Sequence, residues 1–293
     1  MIDTHTSAAG GPDEDGHDSP DTQADLAVLV DSIIETWRER QDHHRAEKSL
    51  TLQIKARCRR LCGGDKARAN AIHDRLDKVE AEGEPEDLRV ARDVNVHFLA
   101  ARAEIAGHHA ALRKHLERLA AQLPIAGFVD DVPGLAFLGL GAIVGEAGDL
   151  SNYANPAKLW KRFGLAVMPD GLRQRKVAGA AALEHGYAPA RRSVVWTLGD
   201  SLIKKQGPYR ELYLARKEVE RAKAEAAGLE VRPQARIPAK NAAAFMSDGH
   251  VHNRAKRYME KRLLRELWRA WRRAAIPPLD PIGEVPLAEE AAE

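Results

Sequence analysis

Cysteine is scarce: Cys58 and Cys62 are the only two in 293 residues, too few for a disulfide framework. Aromatic residues make up 5% of the chain and β-branched runs are short, while alanine and charged residues are plentiful. That composition leaves a mainly α-helical class as the expected fold. No apolar run approaches the length of a membrane span, so no membrane partner is expected. The opening residues, MIDTHTSAAGGPDEDG, carry neither a basic leader nor an apolar stretch, and a soluble cytoplasmic protein is the expectation.

Net charge of one sign is also scarce over the whole chain, at +2, but its distribution is uneven. Residues 1–25 hold seven acids and no Lys or Arg, and residues 276–293 hold five acids and none. Residues 26–130 carry 18 basic and 17 acidic side chains, whereas residues 131–275 carry 27 against 14, a surplus of +13. A surplus of that size over one domain favours a polyanionic partner, because neutralised phosphates release condensed counterions. The acidic ends, 1–21 and 276–293, are read as solvated, disordered tails.

Between the tails, apolar periodicity predicts a long helical arm over residues 22–123. Leu26, Leu29, Val30, Ile33, Ile34 and Trp37 recur at helical spacing. The stripe resumes with Leu50, Ile54, Cys58 and Leu61 after the polar segment RERQDHHRAEKS, and Gly63-Gly64 ends it. A second helical pattern runs from Asp65 to about Ala81, broken by Gly83-Glu84-Pro85. A third, marked by Leu88, Val94, Phe98, Ile105, Leu112, Leu116 and Leu119, runs to Gln122. Two long helices with a short link predict an antiparallel, coiled-coil-like hairpin, part of whose stripe is left for another chain, and a homo-oligomer through this arm is expected. Cys58 and Cys62, four apart near His43, His44 and His73, lack the second ligand pair of a structural zinc site and read as core residues. His108-His109 and the pair His250 and His252 have no His-Glu-x-x-His spacing either. No metal and no cofactor is expected.

Residues 124–275 form the basic half. Pro133-Gly134-Leu135 is a tight turn between two short helices, the arrangement of a helix-hairpin-helix element. Its glycine lets backbone N–H groups at a helix start approach a phosphate. The same turn also fits an ordinary connection in a small core. Leu138, Leu140, Ile143 and Val144 mark a compact helix whose glycines permit close helix packing. Asn155-Pro156 caps the helix AKLWKRFGL. Residues 226–246, with Pro233 and Pro238, read as an irregular surface insertion. The last helix sets Arg254, Lys256, Arg257 and further cations around Tyr258, Leu263, Leu264, Leu267, Trp268 and Trp271, so that arginines can meet a nucleic-acid backbone while the apolar side packs. A lipid surface or a partner groove suits the same pattern.

The ordered phrases VPGLAFLGLGAIVGEAGDL, NPAKLWKRFGL, EHGYAPARRS, GPYRELYLARK and HNRAKRYMEKRLLRELWRAW resemble the C-terminal domain of insertion-sequence transposases of the IS-one-ten type, over about residues 125–274. Glu146, Gly148 and Asp149 stand at its Glu-x-Gly-Asp-like element, and Phe163, Gly164 and Leu165 at its Tyr-x-Gly-Leu phrase. Gly186, Arg191 and Arg192 follow its basic loop. The resemblance implies DNA transposition or recombination, DNA as partner with structured RNA as guide, and a serine nucleophile in the basic loop. It also implies a metal-binding RuvC-like domain, which this chain does not show. The loop VMPDGLRQRKVAGA has no serine, and no Ser or Thr lies between Ser151 and Ser193. Tyr187 and Ser193 are the remaining candidate nucleophiles, and Asp170 a carboxylate substitute needing a metal. A non-catalytic accessory binder and a helical adaptor stay open as alternatives. Gly134, Arg173, Arg175, Lys176, Arg191, Arg192, Arg254, Lys256 and Arg257 are the expected DNA-binding residues.

Overall fold

The computed structural model describes residues 22–78 and 83–275; the expected acidic tails lie outside them. The fold is mainly α-helical, as composition requires. Helix α1 spans Thr22–Leu61, and its polar middle does not interrupt it. At 1.5 Å per residue it is about 60 Å long, too long to be buried in one core. Its two apolar segments therefore enter separate clusters: Val30, Ile33 and Trp37 pack into the body of the protein, while Ile54 and Cys58 pack at the far end of the arm.

At that far end α2 (Lys66–His73) begins on Asp65, whose carboxylate accepts from the backbone N–H groups of Ala67 and Arg68. The helix ends at His73, and Leu76 reaches the small core through a turn; the expected end near Ala81 lies outside the described residues. Helix α3 (Glu86–Ala120) starts after Pro85 and returns along α1. Arg57 bonds the Val94 carbonyl, Glu47 contacts His109 and the His43 ring approaches His108, so the pair is antiparallel. Cys58 and Cys62 belong to this distal cluster with Ile72, Leu88 and Phe98, which is the core role expected of them.

The body begins with α4 (Gly127–Asp130) and α5 (Ala136–Ala147), joined by the Pro133-Gly134 turn. Next come a 3₁₀ turn at Leu150–Asn152, α6 (Pro156–Arg162), α7 (Ala181–His185), α8 (Pro189–Lys204) and α9 (Pro208–Ala226). The stretch read as an irregular insertion contains β1 (Glu230–Arg232) and β2 (Phe245–Ser247), paired in parallel with Glu230 opposite Phe245. Helix α10 (Asp248–Ala275) closes the chain.

Helix α5 is the centre of the body. Leu140, Ile143 and Val144 are fully buried, with α5 packed against α1, α3 and α8. Trp37 of α1 lies so close to Gly145 that an added Cβ would sit 2.5 Å from it, so only glycine admits the arm here. From α10, Met259, Leu263, Leu264, Leu267 and Trp271 complete the core, each such side chain contributing about 1.5–3 kcal/mol on burial.

Tryptophan N–H groups tie this centre together. Trp37 Nε1 donates to Glu146 Oε1 at 3.0 Å, and Trp271 Nε1 donates to Asp149 Oδ1 at 2.8 Å. Asp149 also caps the following turn through the Ser151 N–H at 2.7 Å. Trp268 donates to the Tyr153 carbonyl at 2.8 Å, and Trp160 to the Lys261 carbonyl at 3.0 Å. The Glu146-to-Asp149 element thus joins arm, α5 and α10. Asp149→Ala removes a cap and the nearer of the two acceptors of the buried Trp271 N–H, leaving it Ser151 Oγ at 3.2 Å; a loss of about 1–3 kcal/mol is expected in urea unfolding. Wild-type stability in this variant would refute the clamp.

Candidate polyanion-binding groove

Residues 166–174 fold back as a finger. Met168 N–H donates to Leu172 O at 2.8 Å, Gln174 N–H to Ala166 O at 3.0 Å, and Val167 bridges Arg173 in antiparallel register. Asp170 closes the turn by accepting from the Leu172 N–H at 2.8 Å, with Gly171 at φ +74°. Asp170 is a turn-former here. Because extended residues alternate sides, the inward member is Gln174 and the outward ones are Arg173 and Arg175. Gln174 is buried: its amide nitrogen donates to Lys161 O at 3.0 Å and to His185 O, and its oxygen accepts from Ala166 N–H at 3.2 Å. One uncharged side chain, not singled out in the sequence, therefore aims both arginines.

They point into a groove of about 1030 Å³ between the finger, α9 and α10. Arg216 and Lys223 come from α9, and His250, Arg254, Arg257 and Lys261 from α10. Among the described residues, Glu220 is the one acid on its wall. It is buried and accepts from Arg216 and from Arg254, the latter at 3.4 Å, so it orients two of the cations. The helical positions 254, 257 and 261 share a face, which is why α10 delivers three charges together. Adjoining it is a smaller pocket of about 270 Å³ lined by Gly164, Arg173, Arg175, Lys176, Tyr187, Arg192 and Arg257. The Tyr187 ring lies over Gly164, where a Cβ would be 2.8 Å from it.

The electrostatics report crowded cations. Burial, then the charges of Arg173 and Arg192, hold Arg257 below the usual guanidinium range. Burial followed by Arg254, Arg257 and Arg173 pushes His250 down. Burial and Arg257 do the same to Lys261. Each of these shifts is reversed by an anion among them.

Of the expected residues, Arg173, Arg175, Arg254 and Arg257 meet in the groove and Lys176 in the adjoining pocket. Three placements correct the expectation. Lys256 is wholly buried, its ammonium 2.5 Å from Asp200 Oδ1 and 3.7 Å from the Trp196 ring centre. It lies on the α8 side of α10, a different face from 254 and 257, and is unable to meet a ligand. Arg192 is also buried and pairs with Glu260 at 2.9 Å, so it backs the small pocket as a fixed charge. Arg191 sits apart, beside Arg162, Glu146 and Tyr153.

Gly134 differs too. At φ +101°, an added Cβ would meet the Ser201 carbonyl oxygen at 3.0 Å, so the turn packs onto the end of α8. It borders a separate cleft of about 610 Å³ with Arg40, His44, His109, Arg113 and Ser193. Ser193 therefore lies outside the basic groove, and its hydroxyl donates to Ala190 O at 2.6 Å. His252 is held by Tyr213 at 2.8 Å in the α9–α10 seam. Arg216, Glu220 and Lys223 escaped the sequence reading, although the i, i+4 pair Arg216 and Glu220 is visible in it; Lys261 is one of the last-helix cations expected to meet a backbone.

No protein-family model, curated protein or solved structure matches the chain. Among the described residues, no helix is long and apolar enough to cross a membrane.

The seam behind the groove is pH-sensitive. Burial pushes the Glu260 carboxyl up to about 7, against the opposing pull of Arg192, Lys256 and Arg257. Its native form binds a proton that the unfolded chain has lost above about 4.5, so its contribution is full below that value and is lost as pH rises through about 7. Glu260→Gln should flatten the fall in unfolding free energy between pH 5 and 7.5, a change on the order of 3 kcal/mol measured by urea titration. Parallel wild-type and variant curves would refute it.

Proposed function

We propose that this chain is a DNA-binding protein of transposase type that holds a phosphate backbone in the groove of the finger, α9 and α10. The observation that carries the reading is the convergence of Arg173, Arg175, Arg216, Arg254, Arg257 and Lys261, from three separated stretches, around the single acid Glu220. Cations forced together while losing water gain most from phosphate, and an open groove suits a continuous backbone. The resemblance of residues 125–274 to transposase C-terminal domains points the same way, with structured RNA as a second ligand for the same surface.

The small pocket bears on catalysis. Its cations suit one phosphate, and Tyr187 is the candidate hydroxyl that shares it. Among the described residues no hydrogen-bonded base reaches that phenol, which favours an accessory binder as the second reading. Incubation with DNA flanking the gene separates the two: a covalent adduct lost in Tyr187→Phe supports recombination, and tight binding without an adduct supports the accessory role.

Fluorescence anisotropy on duplex DNA should show affinity falling steeply with salt. Arg173→Ala and Arg257→Ala should each reduce the slope of log K against log salt by about 1, while Arg59→Ala at the far end of the arm leaves it unchanged. Absence of binding to DNA and to transcript RNA at low salt would sink the proposal.

The arm is assigned to self-association. Leu52, Val94 and Val96 stand exposed on α1 and α3, and Val94 belongs to the arm's apolar pattern. Light scattering of the full chain should give a dimer, and Leu52→Asp with Val96→Asp a monomer; a monomeric wild type at micromolar concentration would remove this part.

A further inference from the structure

Across the middle of the arm, two histidine pairs face each other: His43 with His108 at 5.8 Å between ring centres, and His44 with His109 at 5.5 Å. The second pair has a carboxylate beside it. Glu47 lies one turn beyond His44 on α1, and its Oε2 is 3.2 Å from His109 Nδ1. One ligand atom each from His44, Glu47 and His109 falls within 4.8 Å of the others. Two donors on a tetrahedral zinc, with bonds of about 2.0–2.1 Å, are about 3.3 Å apart, so the His109–Glu47 spacing already fits and His44 closes by a rotamer adjustment.

We propose that His44, Glu47 and His109 form a divalent transition-metal site of the zinc class, bridging α1 and α3 and keeping a coordination position open to the cleft beside the Pro133-Gly134 turn. Two imidazoles and a carboxylate are a borderline-soft donor set, which suits Zn²⁺ and disfavours Mg²⁺ or Ca²⁺. Three protein ligands leave at least one position for water. The cleft of about 610 Å³ has both His44 and His109 on its wall, so the ion is reachable from solvent and its free position faces that space. His109 Nε2 is buried without a hydrogen-bond partner, so this imidazole is not spoken for by another polar group on that side. Arg40 and Arg113 also border the cleft and oppose a cation; Glu47 and Glu117 offset them, with Arg113 bonded to Glu117 at 3.1 Å. The site is independent of the basic groove, and its loss would leave the reading of that groove untouched.

The test uses the full chain after chelator treatment, titrated with Zn²⁺ alone by calorimetry and with Co²⁺ alone by visible absorption. One ion per chain is expected, together with four-coordinate Co²⁺ bands and a raised thermal midpoint. His109→Gln and Glu47→Gln should each weaken Zn²⁺ binding by about 100-fold or more and abolish the bands, while His43→Gln, one position off the face, should leave both intact. Circular dichroism establishes that the variants are folded, and Glu47→Gln serves where a histidine variant is not. Zn²⁺ affinity unchanged in folded His109→Gln or Glu47→Gln, or no saturable binding by the wild type, would overturn the assignment.

Discussion

The hydrogen bonds between buried indoles and the two carboxylates at the end of α5 are the constraint on which the rest of the molecule rests. Glu146 receives Trp37 from the arm and Asp149 receives Trp271 from the last helix, so four residues of chain fix two elements more than a hundred positions away on either side. A large aromatic surface is buried at each point without leaving its polar N–H unsatisfied. The resulting frame decides where α10 lies, and α10 supplies Arg254, Arg257 and Lys261 to the groove. Both carboxylates serve as acceptors that hold the fold.

A second, ionic seam sets the rotation of α10. Lys256 and Glu260 face α8 and engage Asp200 and Arg192, while Arg254, Arg257 and Lys261 face the opposite way. Buried pairs of this sort add little net stability, since desolvation offsets their attraction. Their consequence is orientational: rotating α10 strands a charge in the core, so the groove keeps its arginines outward.

Much of this was legible in the sequence, and what was not has physical causes. Helical class, the two arm helices and the tryptophan-lined face of α10 follow from local periodicity, which the structure preserves because nothing competes with it. The cation surplus after residue 131 falls in the half of the chain that holds the groove. Charge alone, however, is silent about direction. Lys256 differs from Arg257 by one position and by a rotation of about 100°, enough to change a solvent-facing group into a buried one. Gly134 was read through what its missing side chain offers a ligand, whereas the close neighbour is the backbone at the end of α8. Gln174 left no sequence signal, since an isolated glutamine between arginines looks like solvated loop until its three backbone partners are brought together by folding. The cross-arm histidines are adjacent only because of the register of α1 on α3, which spacing within either helix does not reveal.

The finger's alternation has an evolutionary corollary. Because Gln174 is pinned inward by partners on three different segments, the residues flanking it are outward by parity alone. Their identities are free to drift between arginine and lysine, or to be lost, without disturbing the fold. The number of residues between the turn and Gln174 is not free: a single insertion there exchanges inner and outer positions and drives a guanidinium toward the carbonyls of Lys161 and His185. Descendants of this sequence should therefore vary in the charge of the finger more readily than in its length.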